Sequence, residues 1–229
     1  SPVILAHYVN TGAYSGHDWF YETAKWMAAK VSVPVAIHLD HGDSFERCME
    51  MLKLGFTSIM FDGSALPVEE NAAATEAVAR VCRSFGVPLE AEIGELCRLD
   101  DRGTKIGASN IAEPDVVRQY LKLCHPDSLA IGIGNAHGFY NGPVDIRAEV
   151  LEECRKFTDI PFVLHGCTGM DEELVKRSID SGVAKINFGT QVRCQYVNYL
   201  KEGLAEGKDQ GHAWKLSQDA ELRLREDMN

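Results

Sequence analysis

The sequence predicts an α/β protein built as a (β/α)8 TIM barrel that lacks its first βα unit in this chain. Three observations carry this reading. Short apolar runs of strand composition recur along the chain without polar alternation, the pattern of strands buried on both faces of a parallel sheet. Between them lie longer segments whose apolar residues recur three and four apart, as in amphipathic helices. Histidine, aspartate and glycine collect at the C-terminal ends of the apolar runs, the end at which such barrels form their sites.

Taken in order, residues 3–8 open on Val-Ile-Leu and read as a strand, followed by a helical pattern over 18–30. A second strand, 35–40, leads to a helix over 44–54 that starts on Ser44 with Glu46 in its first turn. A capping hydroxyl and an early acid both satisfy the electropositive helix start. A third strand, 58–62, precedes a helix over 67–85 that opens on Pro67 with Glu69 and Glu70. Strand 89–94 is followed by helix 114–123, strand 128–134 by helix 145–157, and strand 162–165 by a helix over 171–181 that begins Asp171-Glu-Glu173. The last pair is strand 185–188 and helix 190–206. Seven parallel strands in a barrel would leave two unpaired edges, which natural sheets avoid. An N-terminal βα unit is therefore expected to complete the barrel, and residues 1–229 read as one domain. A doubly wound open sheet is the structural alternative.

Composition narrows the function. A formal charge of −11 disfavours binding to nucleic acid or to an anionic membrane through bulk electrostatics, while a local basic pocket for a phosphorylated substrate stays open. No window is apolar enough to span a bilayer, and no signal-peptide pattern opens the chain. The seven cysteines are scattered, odd in number and form no C-x-x-C pair. Free thiols in a reducing, cytoplasmic compartment are expected.

Three of the strand ends finish in the same way. His41, His137 and His165 each close an apolar run, and each is followed at once by glycine: Gly42, Gly138 and Gly166. Three imidazoles brought by three strand ends can converge on one point, and a three-histidine site with an open fourth position is how proteins hold catalytic zinc. One histidine at a strand end is ordinarily just a polar residue near a loop; three with the same punctuation point to a metal enzyme. The remaining histidines stay outside this set, although His38 shares a strand face with Asp40 and can pack behind the ligands.

The segments His38-Leu-Asp-His-Gly42, Ser58-Ile-Met-Phe-Asp-Gly-Ser64, Glu90-Ala-Glu-Ile-Gly94, His137-Gly-Phe-Tyr140, Leu164-His-Gly-Cys-Thr-Gly169 and Lys185-Ile-Asn-Phe-Gly-Thr190 occur in this order over nearly the whole chain. Together they resemble the class II, zinc-dependent ketose-bisphosphate aldolases of the fructose- and tagatose-bisphosphate type. The resemblance implies Zn2+ on His41, His137 and His165, and general acid/base duty at the C4 hydroxyl for Asp40. Asp62 and Glu92 match acids that hold the metal in a displaced position in some relatives; otherwise they orient the histidines. The resemblance also allows a second, monovalent or divalent cation. Gly138, Gly166, Thr168 and Thr190 match the phosphate site for dihydroxyacetone phosphate, Asn187 matches a residue at the enediolate, and Cys167, Phe188 and Gly189 lie in the same two loops. Those loops follow the last two strands, a common phosphate position in this fold. The resemblance further implies a carbon–carbon lyase of carbohydrate metabolism, such as glycolysis, acting on a small phosphorylated sugar as a homo-oligomer, either dimer or tetramer.

Four departures surround the reacting carbons. Glu95-Leu-Cys-Arg-Leu-Asp-Asp101 stands where relatives carry a glycine pair and then a glutamate that exchanges the enediolate proton, making Asp100 the nearest equivalent. Tyr8 replaces a small hydroxyl residue, Ala65 replaces a histidine, and Gly189 stands where the fructose-bisphosphate enzymes tend to have Asp and the tagatose-bisphosphate enzymes a small residue. These departures keep two alternatives in view: a metal-dependent sugar-phosphate epimerase or other divergent enzyme of the family, and a non-catalytic partner subunit.

Overall fold

The computed structural model describes residues 2–94, 97–99, 105–106, 111–138 and 145–228, with the backbone alone at 97–99 and 105–106. In chain order the elements are β1 (Val3–Tyr8), α1 (Val9–Ser15), α2 (His17–Ala28), β2 (Val35–Gly42), α3 (Phe45–Leu54), β3 (Ser58–Phe61) and α4 (Val68–Phe85). Next come β4 (Leu89–Ile93), β5 (Cys97–Leu99), β6 (Lys105–Ile106), α5 (Pro114–Leu123), β7 (Ser128–Ile131) and β8 (Ala136–His137). The remainder is α6 (Glu149–Arg155), β9 (Phe162–Leu164), α7 (Glu172–Asp180), β10 (Val183–Ile186), α8 (Thr190–Ala205) and α9 (Ala213–Asp227).

Seven strands form one parallel sheet in the order β1-β2-β3-β4-β7-β9-β10. Strand neighbours follow chain order around the sheet, which excludes the doubly wound alternative, whose order reverses at a switch point. The sheet curls into a half-barrel. Lys185 on β10 lies 3.0 Å from His38 on β2 and donates to Glu90 on β4 at 2.6 Å, so strands that are not neighbours share one concave interior. Among the described residues β1 and β10 are the sheet's two edges. Among the described residues no helix is long and apolar enough to cross a membrane.

Helices cover the convex face. Ile37, Leu39, Ile59 and Leu89 pack beneath Met51, Leu52, Val78 and Cys82 of α3 and α4, and Ala91, Leu129, Ile131 and Phe162 pack beneath α5 and α6. Leu39, Ile59 and Leu129 are fully buried, and truncating any one to alanine would cost roughly 2–5 kcal/mol. The strands are less uniformly apolar than the sequence reading expects. On β4, Leu89, Ala91 and Ile93 face the helices, while Glu90 and Glu92 are buried on the concave side among polar groups.

Helix starts follow the sequence closely. Ser44 Oγ accepts from the Arg47 amide at 3.2 Å and Asp171 accepts from the Glu173 and Leu174 amides, contacts worth about 1 kcal/mol each. Two helices were not anticipated. Residues 9–15 of α1 include Asn10, Thr11 and Gly12, poor helix formers that are held between β1 and α2. Helix α9 lies on α8 through a narrow stripe of Leu216, Ala220 and Leu224, with Ala220 fully buried and Leu216 against Gly203, and through Arg223 with Glu202 at 2.6 Å and Tyr199 with Asp227.

Candidate active site

The site is assembled at the C-terminal ends of β2, β3, β4, β9 and β10 and on the short strand β8. His137 belongs to the separate short strand β8, six residues beyond Ile131 at the end of β7, and does not directly close the strand 128–134 that the sequence reading placed before it. At the end of β2, Asp40 and His41 both line the same cavity. A regular strand sends consecutive side chains to opposite faces. Here His41 has φ +53°, and the pairing with β3 places Leu39 opposite Ile59 but Gly42 opposite Phe61, so one extra residue on β2 forms a bulge that redirects the imidazole.

The glycines after the histidines have their own causes. A Cβ on Gly42 would stand 2.4 Å from the Met60 carbonyl oxygen. Gly166 has φ +65°, and a Cβ there would stand 2.4 Å from the Ala136 carbonyl oxygen. The second contact locks the β9 loop against β8 and so fixes His165 relative to His137.

The three imidazoles converge. Ring centroids are 5.1 Å apart for His41 and His137, 4.8 Å for His41 and His165, and 6.0 Å for His137 and His165, and one ring nitrogen from each lies within 4.8 Å of the others. His41 Nδ1 donates to Asp62 Oδ2 at 2.7 Å, which leaves the Nε2 lone pair buried with no hydrogen-bond partner among the described residues. His165 is turned the other way. Its Nε2 donates to Glu90 Oε1 at 2.8 Å, and its Nδ1 accepts from Asn187 Nδ2 at 3.3 Å. An orphaned, buried nitrogen lone pair is costly unless a cation meets it. The residues present therefore fit a metal ion.

The surrounding field favours positive charge. Burial works against a charged His41, yet the Asp62 hydrogen bond and the nearby carboxylates of Glu92 and Asp40 push its pKa up to about 9, so its Nε2 draws a cation, whether a proton or a metal ion that displaces it. Burial also opposes ionisation of Asp62, but His41 and two hydrogen bonds from Ser64 hold it down at about 2. Glu92 goes the other way. Burial, and then the Asp62 carboxylate, raise it well above the ordinary range, and its Oε2 has no hydrogen-bond partner among the described residues. His41, Asp62 and Glu92 form a second group able to hold a cation, while Asp62 also orients His41. Asp40 is opposed by burial, but the imidazoles of His41, His165 and His38 and the Lys185 ammonium keep its pKa low, and Asn187 Nδ2 donates to its Oδ1 at 3.2 Å.

A cavity of about 920 Å³ opens over this cluster, and Gly138, Gly166, Cys167, Thr168, Asn187, Phe188, Gly189 and Thr190 all line it. The candidate phosphate loops thus face one space with His41, His137, Asp62 and Glu92, while His165 is buried behind it. The Cys167 thiol is engaged elsewhere: it donates to the Leu164 carbonyl at 3.3 Å and is pushed by burial to a pKa of about 12. Tyr8 stands edge-on to His41 with ring centroids 6.0 Å apart, and Ala65 lines the same cavity. Asp100 lies outside the described residues; β5, which ends at Leu99, pairs with β8 through Cys97 with Ala136 and Arg98 with His137.

Three residues of the site were not singled out from the sequence. Glu90 and Lys185 each lie two positions before an expected site residue, Glu92 and Asn187, and strand alternation could have placed them on the same face. Arg193 follows Thr190 by three on α8, lines the cavity, donates to Thr190 Oγ1 at 3.3 Å, and has no carboxylate partner among the described residues. Helical spacing puts it on the Thr190 face.

A family model described as class-II fructose-bisphosphate aldolase matches residues 1–228. The chain is 38% identical over 216 residues to a Bacillus subtilis protein named "Probable fructose-bisphosphate aldolase", covering 92% of this chain and 74% of that one. Its structure is similar to the crystal structure of the YdjI aldolase from Escherichia coli K12, with a TM-score of 0.81 and 28% identity over 99% of this chain and 78% of that one. It is also similar to fructose-bisphosphate aldolase from Campylobacter jejuni, with a TM-score of 0.71 and 25% identity over 91% and 70% of the two chains.

Proposed function

The chain belongs to the class-II fructose-bisphosphate aldolase family and is an aldolase, a lyase of carbohydrate metabolism; from its site we propose that it is zinc-dependent and cleaves a phosphorylated ketose between C3 and C4. The products would be dihydroxyacetone phosphate and an aldehyde, and the reverse reaction would join them. One observation carries the proposal: three histidines from separate strand ends converge, with His41, His137 and Asp40 lining a cavity and His165 buried behind them. Nitrogen donors with an open position suit zinc.

His41, His137 and His165 would hold the ion, which when bound would supply Lewis-acid polarisation of the ketose carbonyl. Asp40 is the proposed base. Its low pKa keeps it ionised and ready to take the C4 hydroxyl proton as the bond breaks. Asn187 holds Asp40 in place through its amide and would turn the same polar edge toward the substrate. Backbone amides around Gly138, Gly166, Thr168 and Thr190, at the start of α8, would receive the phosphate. Arg193 supports an anionic substrate, since it brings a cation with no carboxylate partner among the described residues to the cavity of a chain with net charge −11. Asp100 is proposed to return a proton to the carbon left by cleavage.

Two further readings accompany this one. A strand between the edges β1 and β10 would complete an eight-stranded barrel around the interior that His38, Glu90 and Lys185 share. The free thiols of Cys48, Cys82, Cys124, Cys154, Cys167 and Cys194 support a reducing, cytoplasmic setting.

The function is tested by incubating zinc-loaded and chelator-stripped protein with fructose 1,6-bisphosphate and tagatose 1,6-bisphosphate and measuring triose phosphate. Release from at least one of them by the loaded protein only is expected. Interconversion of sugar phosphates without any triose phosphate would favour the epimerase chemistry instead.

A further inference from the structure

Beneath the candidate metal ligands runs a chain of hydrogen bonds that crosses the barrel interior. Lys185 Nζ on β10 donates to Glu90 Oε2 on β4 at 2.6 Å and to His38 Nε2 on β2 at 3.0 Å. Because an ammonium group only donates, His38 must accept at Nε2 and carry its proton on Nδ1, which meets Ser58 Oγ on β3 at 2.7 Å. The other Glu90 oxygen accepts from His165 Nε2 at 2.8 Å. Four strands thus share one directed network, and it ends on a histidine of the candidate metal centre.

The network is tightly enclosed. The side chains of His38, Glu90 and His165 are at most 2% exposed, and that of Lys185 is 13% exposed. Among the described residues Lys185 is the one lysine or arginine within ion-pair distance of Glu90. Both carboxylate oxygens are engaged, one by the cation and one by His165, so the cation fixes the rotation of the carboxylate that in turn fixes the imidazole. Hydrogen bonds behind a ligand of this sort set its tautomer and orientation and commonly govern metal affinity by 10–100-fold.

We propose that Lys185 is a positioning residue for the metal centre: by anchoring Glu90, it holds His165 as the Nε2–H tautomer with Nδ1 presented to the ion. The inference rests on the metal-centre reading of His41, His137 and His165 and adds to it the interior residues on which the third ligand depends. Lys185 touches neither the ion nor the substrate in this role.

The test uses cobalt as the probe, because Co2+ bound in such a site has visible d–d bands that report ligand geometry. Metal-free wild type, Lys185→Met and Lys185→Arg are titrated with Co2+ against a competing chelator, and the thermal midpoint of each metal-free protein is recorded separately. Lys185→Met is expected to bind Co2+ about 10–100-fold more weakly with altered bands, and Lys185→Arg to recover most of the affinity. Wild-type affinity and bands in Lys185→Met, whatever happens to its thermal midpoint, would overturn the proposal. Should Lys185→Met fail to fold, Glu90→Gln carries the test. Its amide oxygen can accept from Lys185 or from His165 but not from both, so weakened binding is expected and wild-type binding would again overturn the proposal. If wild type itself takes up no Co2+, the metal-centre reading falls first.

Discussion

Asp40 and His41 are adjacent in sequence and separate in duty. Asp40→Ala removes the proposed base while leaving the three imidazoles in place, so it should retain one metal ion per chain and lose bond cleavage by roughly 10²-fold or more. Metal analysis beside a turnover assay checks this, and equal turnover in mutant and wild type would refute the role. The histidines and Asp40 were legible because each sits in a local motif at a strand end. That Asp40 and His41 both face the cavity was not legible, since it depends on the φ of +53° at His41 and a register slip against β3. The partners of Glu90 and Lys185 were hidden for a different reason: the two lie 95 residues apart and meet only across the curled interior.

The joints between elements set two further expectations. Gly166 links β9 to the cavity loop at φ +65°, where a side chain costs roughly 1–2 kcal/mol, and an added Cβ would also press on the Ala136 carbonyl. Gly166→Ala should therefore lower the urea midpoint by the equivalent of about 2 kcal/mol or more with an unchanged slope; an unaltered midpoint would contradict this reading of the joint. On the other side of the sheet, Arg47 on α3 donates to His17 Nε2 at 3.0 Å, and His17 Nδ1 donates to His7 Nε2 at 2.9 Å, tying β1, α2 and α3 together through two neutral imidazoles. Burial, then the nearby His17, lowers the pKa of buried His7 to about 4. Unfolded His7 takes a proton near pH 6.5 and folded His7 resists until about pH 4, so the unfolded state binds more protons across that window. Stability should fall, on the order of 3 kcal/mol from this group, as pH drops from 6.5 to 4. Urea melts across that range should show a shallower decline for His7→Gln than for wild type; identical slopes would remove His7 as the cause. The βα alternation itself was readable from apolar runs and caps. Helix α9 was not anticipated although Leu216, Ala220 and Leu224 recur four apart, because this stripe is narrow and set among charged residues.

Across the whole molecule, a curled parallel sheet gathers residues from five strand ends and β8 into one cavity, with apolar packing on its convex face and buried charge on its concave face. The parallel βα plan could be read from the chain because each unit is local. The curl became evident only through contacts such as Lys185 with His38, which no local pattern encodes. The most direct measurement is metal content together with carbon–carbon bond cleavage in His41→Ala, His137→Ala and His165→Ala, each compared with wild type. An open catalytic zinc needs all three protein ligands, so each variant is expected to lose stoichiometric zinc and cleavage together. Stoichiometric zinc with full turnover in all three would put the metal and the reaction elsewhere.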